Sequence, residues 1–159
     1  MNAPLNVNPD EQQALVDNNI SLDDKFTLER GRAFMTGTQA LIRLTMLQRQ
    51  ADEKAGLNTA GFISGYRGSP LGNVDLTAAK AKKHLAKHHV VFHPGVNEDL
   101  AATSVWGTQQ VNMFPGAKYD GVFGMWYGKG PGVDRCGDWY SETGSVDRTV
   151  PVGRSVTSE

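Results

Sequence analysis

Three short apolar runs, each closed by a glycine or proline turn, limit what this chain can fold into more than any other feature. Thr59-Ala60-Gly61-Phe62-Ile63-Ser64-Gly65-Tyr66, His89-Val90-Val91-Phe92 and Tyr119-Asp120-Gly121-Val122-Phe123-Gly124-Met125-Trp126-Tyr127 are short for helices and largely apolar on both faces of an extended chain. Such runs suit strands of a parallel sheet covered by helices on both sides. Helical patterns lie between them. Ala40, Leu41, Leu44, Met46 and Leu47 predict a helix over roughly residues 36–55, with Gly56 as its stop. The lysine- and alanine-rich stretch from Leu76 to His89 predicts one exposed helix, and Asn97 caps a third that carries Leu100, Ala101, Val105, Trp106 and Val111. Helix and strand alternate, so the expected fold is α/β: an incomplete doubly wound, mostly parallel sheet with flanking helices. In such sheets the loops at the carboxyl ends of the strands converge on one crevice.

Composition narrows the function classes. The 159 residues make one ordinary domain, and a formal charge of −1 gives no field for nucleic acid or an anionic membrane surface. Eighteen glycines and seven prolines point to many loops. The single cysteine, Cys136, excludes an internal disulfide framework and a cluster ligated by this chain alone, which suits a reducing cytoplasm. The amino terminus has no signal-peptide pattern, and no run of apolar residues is long enough to span a bilayer. Residues 1–20 read as a disordered arm and residues 139–159 as an unstructured tail, leaving 21–138 as the folded unit.

Three strand-end loops hold the candidate chemistry: Gly65-Tyr66-Arg67-Gly68-Ser69-Pro70, His93-Pro94-Gly95-Val96-Asn97-Glu98 and Gly128-Lys129-Gly130-Pro131-Gly132-Val133-Asp134-Arg135. Each alone reads equally as a tight turn, because glycine is the default residue at positive φ. None matches a dinucleotide fingerprint or a Walker phosphate loop. Glu98 and Asp99, at a helix start, complement the dipole whatever else they do. His84 and His88 have the i, i+4 spacing of a metal pair, but no Glu or Cys at useful spacing completes a zinc site, so no metal is expected on this chain. Cys136 has no activating base nearby in sequence, and Tyr66, Trp106 and Trp126 read as core aromatics.

Taken in order, the strings Phe62 to Gly72, Pro94 to Gly107 and Asp120 to Arg135 resemble the N-terminal segment of the fused indolepyruvate ferredoxin oxidoreductases. These form a branch of the thiamine-diphosphate-dependent 2-oxoacid ferredoxin oxidoreductases. The resemblance spans residues 22–138 and covers only part of the domain that binds the cofactor's pyrimidine end; from Trp139 onward it stops, as it would in a truncated or frame-shifted chain. It implies an oxidoreductase that decarboxylates an aryl 2-oxoacid to an acyl-coenzyme A and reduces ferredoxin.

In that family a glutamate at the position of Glu98 hydrogen-bonds the aminopyrimidine of thiamine diphosphate. It favours the imino tautomer, which takes the thiazolium proton. Gly65 and Tyr66 would lie against the cofactor. Arg67, Gly68, Ser69 and Pro70 would form the substrate-facing turn, although related enzymes more often carry proline and threonine where this chain has Arg67 and Ser69. Mg²⁺ and an iron–sulfur cluster would sit on parts of such an enzyme outside this chain. A complementary diphosphate-binding domain or chain is the implied partner, in a homo-oligomeric parent, and the chain alone is expected to be inactive. Two other readings stay open: a non-catalytic gene remnant or partner-binding module, and an unrelated doubly wound nucleotide-binding module.

Overall fold

The computed structural model describes residues 20–68, 71 and 73–136. The arm and tail expected at the two ends lie outside this range, apart from Ile20. The elements in chain order are α1 (Asp24–Thr27), α2 (Gly37–Lys54), β1 (Thr59–Gly65), α3 (Val74–Lys80), α4 (Lys82–Lys87), β2 (Val90–Phe92), α5 (Glu98–Thr108), a 3₁₀ turn (Val111–Met113), β3 (Gly121–Tyr127) and α6 (Gly130–Arg135). The three strands form one parallel sheet in the order β2-β1-β3, with Gly61 beside Val90 and Phe123, and Gly65 beside Tyr127.

Alternation along the strands sends side chains to two covered faces. On one face Ile63, Phe123, Met125 and Tyr127 pack with Ile42 and Met46 of α2, Val74 and Ala78 of α3, and Ala81 and Leu85. On the other, Phe62 and Trp126 meet Ala101, Ala102 and Val105 of α5, with Val133 and Cys136 from the last turn. Helices on both faces of an all-parallel open sheet give the coarse doubly wound α/β arrangement that the sequence predicts. Ile42 and Ile63 are fully buried, and truncating a side chain of this kind to alanine costs about 2–5 kcal/mol.

Local chemistry explains the element ends. Thr36 opens α2 with a reciprocal box: its hydroxyl accepts from the Gln39 amide at 3.2 Å, and its own amide donates to the Gln39 side chain at 2.9 Å. Arg43 reaches back from α2 to the carbonyls of Asp24 (3.0 Å), Lys25 (2.8 Å) and Leu28, satisfying the end of α1. The single helix expected over Leu76 to His89 is two short ones, starting at Val74 and joined at Ala81, whose ψ of 3° leaves the helical range. Neither piece has a side-chain cap at the junction, so no residue type marks the break. The helix expected to run from Asn97 through Val111 stops at Thr108. The segment read as a ligand loop from Gly128 to Arg135 is helical from Gly130, with Pro131 in its first turn.

A polar mesh ties the amino end of the sheet. The Asn58 amide donates to Asp120 at 2.7 Å, its side-chain NH₂ donates to the Lys118 carbonyl at 3.2 Å, and the Thr59 hydroxyl donates to Asp52 at 2.6 Å. Buried Arg49 donates to the Leu57 carbonyl at 3.0 Å and to the Asn58 side chain at 3.2 Å. With that end fixed, the carboxyl ends are left for the loops that the sequence singles out. Among the described residues no helix is long and apolar enough to cross a membrane.

Candidate functional site

At the carboxyl end of β1 the chain after β2 is drawn alongside. The Gly95 amide donates to the Gly65 carbonyl at 2.9 Å, and Tyr66 bridges Gly95 in parallel register. Two glycines make this convergence possible. A Cβ on Gly95 would lie 2.6 Å from Ala101 Cβ, and one on Gly65 would lie 2.5 Å from the Tyr127 ring. The first two of the three loops are therefore stitched together, and Gly65 pairs across the sheet with Tyr127, which leads into the third.

Glu98 is the first residue of α5, behind an extended Asn97 whose side chain accepts from the Leu100 amide at 2.8 Å. Glu98 is half-buried. Its stem is wedged against the third loop: a Cβ on Gly132 would lie 2.8 Å from both Cβ and Cδ of Glu98, and one on Gly128 would lie 3.4 Å from its Cγ. Trp126 Nε1 donates to the Glu98 carbonyl at 3.3 Å, fixing the helix start over β3. Among the described residues the Glu98 carboxylate has no hydrogen-bond or ion-pair partner.

Asp99, read from sequence only as a dipole partner, does more. Its carboxylate pairs with Arg135 Nη2 and accepts from Cys136 Sγ at 3.3 Å. Burial, and then this bond and the charge of Asp99, push the Cys136 thiol up to about 11. It is a structural thiol with little thiolate character.

On the other face of the sheet tip, Arg67 Nε lies 3.8 Å from Asp75 Oδ2, with the Arg67 side chain 72% exposed. A pair this exposed contributes about 0–1 kcal/mol, so Asp75 is a replaceable partner for the guanidinium. A Cβ on Gly68 would run into the Tyr66 ring. Tyr127 Oη is buried without a hydrogen-bond partner among the described residues, and burial, reinforced by the charge of Asp75 and opposed by Arg67, pushes it up to about 12. Ser64 Oγ, near the end of β1, is likewise buried and, among the described residues, without a partner.

Of the residues expected to form the site, Gly65 and Tyr66 lie at the junction of the first two loops. Glu98 sits at the junction of the second and third. Arg67 and Gly68 are exposed at the tip, Arg67 turned toward Asp75 on α3, and no hydrogen bond or ion pair joins Glu98 to them. Ser69 and Pro70 lie outside the described residues. The histidines take separate partners: His84 Nε2 lies 3.6 Å from Asp23, His93 stacks on Phe62, and His89 Nδ1 lies 3.2 Å from the Tyr119 hydroxyl, while His88 lies close enough to His84 and His89 to feel their charge. Among the described residues no group of three or more His, Cys, Asp or Glu is placed to hold a metal ion. Sequence reading missed Gly132 as the floor under Glu98, and the Asp99 clasp; only the density of glycine in the third loop hinted at the former. Comparison with family models, with curated proteins and with solved structures found no match for this chain.

Proposed function

We propose that this chain supplies the pyrimidine-side half of a thiamine diphosphate site in an oxidoreductase acting on aryl 2-oxoacids, with Glu98 as its catalytic residue. One observation supports this above the others. A half-buried carboxylate stands at the carboxyl ends of the strands, its stem held by glycines and its oxygens without partners among the described residues. A carboxylate in such a place can exchange a hydrogen bond or a proton with a ring nitrogen presented to it. Thiamine diphosphate, when bound, would supply the electron sink for decarboxylation. Glu98 would orient the aminopyrimidine and hold a proton at its carboxyl, with Gly65 and Tyr66 lining the neighbouring loop junction. Arg67 would exchange Asp75 for the substrate carboxylate, a bidentate pairing stronger than the one it leaves. As the resemblance implies, a complementary domain or chain would carry the diphosphate and Mg²⁺, and coenzyme A and ferredoxin would meet that larger assembly.

The test titrates thiamine diphosphate with Mg²⁺ into the chain paired with a diphosphate-binding partner domain, following heat and indole fluorescence. Saturable binding is expected, weakened at least tenfold by Glu98→Gln. Absence of thiamine binding, together with binding of NAD or FMN by the chain alone, would overturn the proposal in favour of a nucleotide-binding module.

A further inference from the structure

The short helix α6 has an odd attachment. Gly132 is its one fully buried residue within Gly130–Arg135, and that glycine rests on the Glu98 stem. Beyond it, α6 is held by Val133 and Cys136 against the small α5 cluster and by the Asp99 carboxylate, which grips both Arg135 and Cys136. Its approach from β3 passes through Gly128, an extended Lys129 and Gly130, and a Cβ on Gly130 would meet nothing within 4 Å. A six-residue helix with so little buried apolar surface among the described residues, and a glycine on either side of its entry, belongs to the low-stability end of a fold.

We infer that α6 is a hinged cover over Glu98, held shut by the Asp99 clasp, and that Asp99 is a positioning residue acting on Glu98 through α6. With the cover closed, the Glu98 stem is confined between Gly128 and Gly132 and its carboxyl has one setting. With the cover lifted, the stem regains its rotamers and the flank of Glu98 opens to solvent or to a partner. The assignment of Glu98 to cofactor chemistry rests on the function proposed above; the cover itself does not.

Cys136, at the end of α6 and buried only while α6 is docked, reports on opening. The experiment follows alkylation of this sole cysteine by iodoacetamide in the intact chain at pH 8. Wild-type labelling is expected to be slow and nearly independent of urea below the unfolding transition, as for local opening. Gly132→Ala, whose added methyl meets Glu98, should accelerate labelling at least tenfold. Arg135→Gln separates opening from charge: loss of this cation by itself would raise the thiol's pKa and slow the reaction, whereas loss of so exposed an ion pair from the clasp should speed it by up to about fivefold. If Gly132→Ala does not fold, Arg135→Gln decides alone. Labelling that tracks global unfolding in urea, or wild-type rates in both variants, would overturn the cover. Neither result bears on thiamine binding, so the two readings can fail separately.

Discussion

Gly132 and Gly130 sit two residues apart in the same short helix and should respond oppositely to the same substitution. Alanine in a helix is usually favoured over glycine by up to about 1 kcal/mol. Gly130→Ala, with open space around the new methyl, should be neutral or slightly stabilising in urea denaturation, while Gly132→Ala should destabilise or undock α6 by about 1–3 kcal/mol through overpacking against Glu98. Two buried hydroxyls allow a second check. Ser64 Oγ and Tyr127 Oη carry desolvation without a compensating hydrogen bond among the described residues. Ser64→Ala and Tyr127→Phe should therefore each be neutral or stabilising by up to about 1 kcal/mol. A loss above that figure in either variant would mean that the hydroxyl removed is satisfied in solution. These residue-level features were the least legible in sequence. Glu98 could be singled out by its helix-start position and its resemblance, but the partners of Asp99 lie at Arg135 and Cys136, a separation that no local pattern encodes.

At the scale of elements, the caps carry the clearest expectations. Thr36→Ala removes one arm of the box that opens α2, and Asn97→Ala removes the acceptor for the Leu100 amide; each should cost about 1 kcal/mol in thermal or urea unfolding. Asn97→Ala should in addition loosen the start of α5, and hence Glu98, while Thr36→Ala leaves that corner unchanged. Strand and helix identities were legible where periodicity was strong: β1 and β3, and α2 to within about two residues. The segment from Leu76 to His89 was not, because Val74, Ala78, Ala81 and Leu85 keep one apolar stripe straight through the break at Ala81. The helix α6 was hidden by its glycines and proline, which ordinarily signal a loop and here serve close packing and a helix start.

For the whole molecule, the shifted groups fix how stability depends on pH. The Cys136 thiol, raised from 9.0 to about 11, and the Tyr127 phenol, raised from 10.0 to about 12, release their protons more readily in the unfolded chain. Their contribution is intact below pH 9 and is lost as pH climbs through the window from 9 to 12. His88 acts at the other limb: burial and the nearby His84, Arg49 and His89 lower its pKa against the pull of Glu53, so protonation favours the unfolded chain and stability falls as pH drops below about 6.5. Urea midpoints should thus form a plateau between about pH 7 and 9. Cys136→Ser should flatten the alkaline limb, and His88→Asn the acid one.

Because β1 lies between its two neighbours, the first strand made is the last to be completed. Until Tyr127 has left the ribosome, Ala60, Phe62 and Ser64 have no hydrogen-bonding strand on one side, and a nascent chain halted after β2 presents a bare, apolar ribbon to whatever waits at the tunnel mouth.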